Sequence, residues 1–261
     1  MNSVSKTLYI PLFGKSFVSK KGLFIDDKKA IEIWEAEAFE LKGKSKSKWL
    51  AYYMGIRSAV FDEWLTKRMA EEPCAAVIHI GCGMDSRIVR VGNDGRKWYD
   101  VDFSAVIEER KRYYSETDDY KMLAGDARED EWLSNIEEAK SAIVVMEGVS
   151  MYLSVEEMQN LAKRLCARFE QVVLLTDAYS SFAAKMSKRG NPINTVGVTE
   201  VYGVKNPQEY QTDELVFVKE LAMIPQKYID ELKGFERFVF AKIYAGGFST
   251  KLYRLFEYKK K

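Results

Sequence analysis

The chain has 261 residues, 47% of them hydrophobic, with 40 Lys plus Arg against 39 Asp plus Glu and a formal net charge of +1. That apolar content excludes a disordered chain and supports a sizeable core, while the charge balance leaves no electrostatic footprint for nucleic acid. One histidine excludes a histidine-rich metal site, and three cysteines (Cys74, Cys82, Cys166), odd in number and without metal spacing, read as reduced thiols of a cytoplasmic protein.

From Met1 to Lys21 the lysines are scattered and no continuous apolar stretch marks a secretory signal. No apolar run approaches the ~18 residues of a membrane span. Ile31, Trp34, Phe39 and Leu41 mark one helix; Trp49, Tyr53, Ile56, Val60, Trp64 and Met69 mark a second, longer one, closed by Pro73. Residues 1–72 are therefore expected to form a helical N-terminal cap, and 73–261 the main domain.

From Cys74 the pattern alternates strand and helix. The first strand, Ala76–Ile80, runs into Gly81-Cys82-Gly83, where glycine permits a tight turn and close approach of backbone to a ligand. The second, Lys97–Val101, ends in Asp102, 19 residues after Gly83. That spacing fits the acid that binds ribose hydroxyls, a job suited to an acceptor-only carboxylate. At this point the ligand is an adenosine-type cofactor, either a dinucleotide or S-adenosylmethionine. A helix from Ser104 to near Tyr114 follows, then strands Lys121–Ala124 and Ala142–Met146, a capping box at Ser154 and Glu157, and strand Val172–Thr176. This alternation predicts an α/β fold with a doubly wound parallel sheet. Phe235–Ile243 and Lys251–Tyr258 are strand-like and separated by Ala245-Gly246-Gly247, which predicts a closing antiparallel pair; Lys259–Lys261 reads as a solvated end. A dinucleotide dehydrogenase does not usually end in such a pair, and Ser86 stands where its third glycine or alanine belongs.

Six blocks carry a resemblance: Gly55 to Asp62, Ile80 to Arg87, Tyr99 to Phe103, Gly125 to Arg128, Met146 to Leu153, and Tyr202-Gly203 with Pro207. In this order the chain resembles the leucine carboxyl methyltransferase-like branch of class I methyltransferases, which includes polyketide-type O-methyltransferases. The resemblance implies a Rossmann-like seven-stranded sheet and S-adenosyl-L-methionine as cofactor. It implies methyl transfer to an oxygen of a small-molecule acceptor; the charge balance and the lack of a long apolar run lead to the expectation of no nucleic-acid or membrane partner. It assigns Gly81, Cys82 and Gly83 to the loop under the methionine part, and Asp102, with Phe103 beside it, to the ribose. It assigns Asp126 and Ala127 to adenine, Glu147 with Gly148 to the amino group, and Arg57 to the carboxylate. The chain departs from the pattern at His79, Ser104 and Ala127.

Each assignment has a structural counterpart. Arg57 can pair with Asp62 or Glu63 at the surface, Arg87 with Asp85 or Asp102 inside the fold, and His79 can be a core histidine satisfied by a hydrogen bond. Cys82 reads as a small spacer and Asp126 as a loop cap. Without a His–Asp pair to serve as base, the sequence favours an acceptor already ionised: a carboxylate, an acidic phenol or an enol. Tyr152, Asp177, Tyr179 and Tyr202 are pocket candidates, none assigned as a base, and residues 180–210, with Gly190, Pro192 and Gly197, are expected to wall the acceptor. A carboxyl methyltransferase acting on a protein C-terminus and a non-catalytic cofactor-binding protein are the competing readings.

Overall fold

In the computed structural model, which describes residues 8–37, 39–41, 43–137, 139–187, 201–247 and 251–261, five parallel strands form the centre of one sheet. They are β1 (Ala76–Ile80), β2 (Trp98–Asp102), β3 (Tyr120–Ala124), β4 (Ser141–Met146) and β5 (Gln171–Tyr179). With β6 (Leu215–Leu221) and β7 (Tyr253–Lys260) the order is β3-β2-β1-β4-β5-β7-β6, and β7 is antiparallel to both neighbours. All five residues of β1 are buried, as a central parallel strand covered on both faces requires.

Alternate residues feed two cores. Val77, Ile143, Val145 and Leu175 face the N-terminal helices α1 (Tyr9–Lys20), α2 (Lys28–Glu37) and α3 (Lys48–Glu71). Ile78, Val144, Met146 and Leu174 face α6 (Val155–Arg168), beyond α4 (Arg87–Val91) and α5 (Ser104–Arg110) in the chain. The box at the start of α6 is formed, Ser154 Oγ accepting from Glu157 N and Glu157 from Ser154 N. Helix α3 starts at Ser47, whose hydroxyl accepts from Trp49 N at 3.3 Å. A side chain at Gly55 would come within 2.7 Å of Val18. Glycine there lets α1 lie directly on α3, and this contact carries Lys15 to the strand ends. No helix among the described residues is long and apolar enough to cross a membrane.

The structure corrects several expectations. A helix at Tyr9–Lys20 was not anticipated, and the helix expected over 31–41 ends at Glu37. Phe39 lies beyond it, stacked on Tyr9 with ring centroids 4.1 Å apart. Helix α5 stops at Arg110, short of Tyr114. The largest change is at the C-terminal end. After α7 (Ser181–Ser187) and α8 (Gln226–Glu231), residues 234–244 are helical, α9 (Gly234–Val239) running into a π-turn over Phe240–Tyr244. Phe240 is buried against Tyr52, and Tyr244 stacks on Trp49 at 5.6 Å. Aromatic packing on α3 therefore overrides the strand tendency of the run. The antiparallel partner of β7 is instead β6, and β7 continues through Lys260, whose ammonium donates to the Cys166 and Phe169 carbonyls at 2.7 and 3.0 Å. Gly190, Pro192 and Gly197 lie outside the described residues.

Candidate functional site

The strand order reverses between β1 and β4, and a cavity of about 370 Å³ opens there at the carboxyl ends of the strands. Its volume suits a small-molecule site. Arg57, Gly81, Cys82, Gly83, Asp102, Phe103, Asp126, Ala127, Glu147 and Gly148 all line it, joined by Leu8, Pro11, Leu12 and Lys15 from the N-terminal segment.

The glycine loop is built for proximity. Gly81 has φ +68°, and a Cβ there would lie 2.1 Å from Val149 Cγ2, so any other residue would be strained in its backbone and would have to push the Val149 side chain aside. Gly83 N donates to Asp102 Oδ2 and Phe103 N to Oδ1, each at 2.8 Å. Each carboxylate oxygen keeps a lone pair toward the cavity. Burial pushes the Asp102 carboxyl above its ordinary range, against these two amides. Asp100 shares the face but lies one pleat deeper and is fully buried, outside the cavity lining. It pairs with Arg110, accepts from Tyr120 Oη at 2.7 Å and from Trp98 Nε1 at 2.9 Å. Arg110 also donates to the Gly83 and Asp85 carbonyls at 3.0 and 2.7 Å, clamping the loop from beneath. Cys82 is buried, which drives its thiol well above the usual range, an environment in keeping with the spacer reading and unfavourable to a thiolate.

On the opposite wall Glu147 is held by Arg57 Nε at 3.0 Å, by Ser58 Oγ at 3.1 Å, and by Arg87. Three of about four lone-pair sites of the carboxylate are thereby taken. Arg57 is 3% exposed, and reaches Asp177 at 3.1 Å and Tyr253 Oη at 2.7 Å. The surface pairing with Asp62 or Glu63 is thus overturned: Asp62 holds Arg87 and Arg90, and Glu63 holds Lys227 and Tyr228. Arg87 pairs with Asp85 at 3.2 Å, as one sequence alternative had it, and with Asp62 at 2.7 Å, but not with Asp102. Lys15 meets Asp85 at 3.1 Å at the cavity wall. Sequence reasoning missed this cation because the helix that carries it was not seen.

Asp126 caps its own loop. Arg128 N donates to Oδ1 at 2.9 Å, and Arg128 Nε reaches the two oxygens at 2.9 and 3.0 Å. Those hydrogen bonds hold the carboxyl below its ordinary range. Arg128 is therefore a second lining cation that the motif reading did not single out. Of the pocket candidates, Tyr152 lines the cavity. Asp177 is buried and accepts from Gly148 N at 2.9 and 2.8 Å; Tyr179 packs on Tyr253 at 4.8 Å, and Tyr202 is half exposed.

This network makes acid stability a readout of the site. Burial opposes ionisation of Glu147 and Asp100, but Arg57 with Arg87, and Arg110 with the Tyr120 hydroxyl, outweigh it and hold both carboxyls at about 2. A depressed carboxyl stabilises the fold above its unfolded value, here 4.5 and 3.8, and that stability is lost as pH falls through the folded value. Asp102 and Asp177, raised by burial, act with the opposite sign. Urea unfolding from pH 5 downward should show stability falling continuously between about pH 4.5 and about pH 2. A flat profile across that window would show that these pairs do not stabilise the fold.

The family model for leucine carboxyl methyltransferase matches residues 4–166. The tetracenomycin polyketide synthesis O-methyltransferase of Streptomyces glaucescens is 29% identical over 187 residues, covering 70% of this chain and 69% of that relative. An S-adenosyl-L-methionine-dependent methyltransferase of Gibberella zeae is 26% identical over 184 residues, 65% of this chain and 62% of that protein. Among solved structures, magnesium protoporphyrin IX methyltransferase from Synechocystis PCC 6803, with bound S-adenosylhomocysteine, superposes with a TM-score of 0.53 over 90% of this chain and 95% of its own, at 11% identity. At that identity the likeness concerns the fold.

Proposed function

Since the chain belongs to the leucine carboxyl methyltransferase family and is an S-adenosylmethionine-dependent methyltransferase, we propose that it methylates an oxygen of a small-molecule acceptor that reaches the site already ionised. The cavity fits the cofactor. Asp102 offers two oriented oxygens to vicinal hydroxyls, and Val101, Phe103, Val106, Ala127 and Leu153 offer an apolar slot for a flat ring. Glu147 suits an ammonium, Lys15 a carboxylate, and the loop at Gly81 brings backbone where a Cβ has no room. When bound, the cofactor supplies a methyl group activated by a positive sulfur.

What the chain's own residues contribute is orientation. Holding the acceptor oxygen in line at ~3–3.5 Å supplies several kcal/mol of the barrier. One observation carries the ionised-acceptor reading: the lining carboxylates and the imidazole are already engaged. Asp85 pairs with Lys15 and Arg87, Asp126 with Arg128, Glu147 with Arg57, and His79 faces Arg87. Asp102 is occupied by two amides. No lining carboxylate or imidazole among the described residues is left to take a proton from a neutral hydroxyl. A carboxylate, acidic phenol or enol meets this requirement, and the O-methyltransferase relative supports oxygen as the acceptor atom.

A labelled-methyl assay over carboxylates, acidic phenols, enols and a peptide with a free α-carboxylate tests this reading. Turnover should rise as each acceptor ionises and then stay level. Turnover confined to the peptide would move the assignment to a protein C-terminus, and turnover of a weakly acidic alcohol would require a base other than the engaged carboxylates and imidazole of the described lining. Asp102→Ala should weaken S-adenosylhomocysteine binding by about 1.5–3 kcal/mol, the scale of hydrogen bonds to a charged group. Calorimetric titration measures it, and unchanged affinity would remove Asp102 from the ribose site.

A further inference from the structure

We propose that His79 is a positioning residue of this site: its Nε2 lone pair holds the Arg87 guanidinium in place, and through Arg87 it sets the Glu147 carboxylate. The inference rests on the reading of Glu147 as the contact for the cofactor's ammonium. His79 is the one histidine of the chain. It is 1% exposed, yet it lines the cavity beneath the glycine loop.

The tautomer follows from its neighbours. Nε2 lies 3.1 Å from Arg87 Nη1. A guanidinium only donates, so Nε2 carries a lone pair and the proton sits on Nδ1. Nδ1 faces Asp100 Oδ1 at 3.4 Å, without the alignment of a full hydrogen bond. The imidazole therefore joins two clusters that otherwise meet only through Asp85, whose carbonyl accepts from Arg110 and whose carboxylate pairs with Arg87. On one side Asp100 and Arg110 hold the Gly83 carbonyl; on the other Arg87 reaches Glu147, Asp85 and Asp62. Every other hydrogen-bonding or ion-pairing partner of Arg87 is a carboxylate, and its guanidinium lies over the Phe61 ring. Neutral imidazole fills that place without adding charge. An apolar side chain would leave a buried N–H of Arg87 unsatisfied. A protonated imidazole would have no lone pair and would set a second cation against Arg87.

Calorimetric titration with S-adenosylhomocysteine tests the proposal on the full chain and on His79→Gln, His79→Asn, His79→Leu and Glu147→Ala, with thermal unfolding of each. A glutamine amide can present an oxygen near the Nε2 position, whereas an asparagine amide reaches only the Nδ1 position. His79→Asn and His79→Leu should each weaken binding roughly tenfold, and His79→Gln by no more than about twofold. The comparison of His79→Gln with His79→Asn stands even where the leucine variant fails to fold. Folded asparagine and leucine variants with unaltered affinity, or His79→Gln binding no more tightly than His79→Asn, overturn the role of His79. Unaltered affinity in Glu147→Ala instead overturns the ammonium reading beneath it.

Discussion

Glu147→Ala should lower the stability of the folded protein by about 3–5 kcal/mol, the cost of removing one partner from a buried charge pair. Arg57 and Arg87 are both buried, and each loses the carboxylate it shares with the other. Asp177 and Asp62 remain, so the cations are not orphaned, but they are drawn to opposite ends of the cluster. Cofactor affinity should fall in the same variant. Glu147→Gln keeps acceptors for Ser58 and Arg57 and should lose less stability. Urea unfolding of the two variants measures both effects; an unchanged midpoint in Glu147→Ala would show that the charges rearrange freely and that the wall is not preorganised.

Arg110→Met should have an effect of similar size, again about 3–5 kcal/mol. Asp100 is fully buried and loses its cation, and the Gly83 and Asp85 carbonyls lose their donors. The loop above should loosen, and S-adenosylhomocysteine binding should weaken by more than about tenfold. Arg110→Lys is not expected to restore it, because one ammonium on a flexible stem does not reproduce a planar fork that spans a carboxylate and two carbonyls. Asp100→Asn added to Arg110→Met should recover part of the stability, since the stranded charge is gone. A double variant no better than the single one would place the loss in the loop carbonyls and not in Asp100.

The strand ends were readable because motif and fold coincide there. The apolar run at β1 has its predicted bounds, Ala76–Ile80, and the ten residues assigned to the cofactor line one cavity, nine because their blocks sit where a parallel strand stops and Arg57 because α3 packs over those strand ends. Helix α1 was not readable: Pro11 and Gly14 break its pattern, although Pro11 is tolerated in a first turn where its missing N–H has no partner to lose. Lys15 was lost with it. Residues 234–244 combine aromatic and β-branched side chains at spacings that suit either strand or helix, and the packing on Trp49 and Tyr52 decides between them. The ion-pair web was out of reach for another reason. Arg87 and Asp62 are 25 positions apart and Arg57 and Asp177 are 120 apart, distances at which no local pattern names a partner.

The position of β7 has a consequence for how the molecule assembles. Residues 253–260 insert between β5 and β6, strands that lie earlier in the chain and do not pair with each other. Until that segment has been made and has docked, β5 and β6 each present an open edge of unpaired amides and carbonyls, which invites contact with other chains. Pairings this far apart in sequence also close slowly. Tyr253, at the start of β7, is a partner of both Asp177 and Arg57. The charge arrangement around the methyl-donor site is therefore completed by the last strand to arrive, and a binding-competent pocket is a late product of folding even though its signature loop is encoded in the first third of the chain.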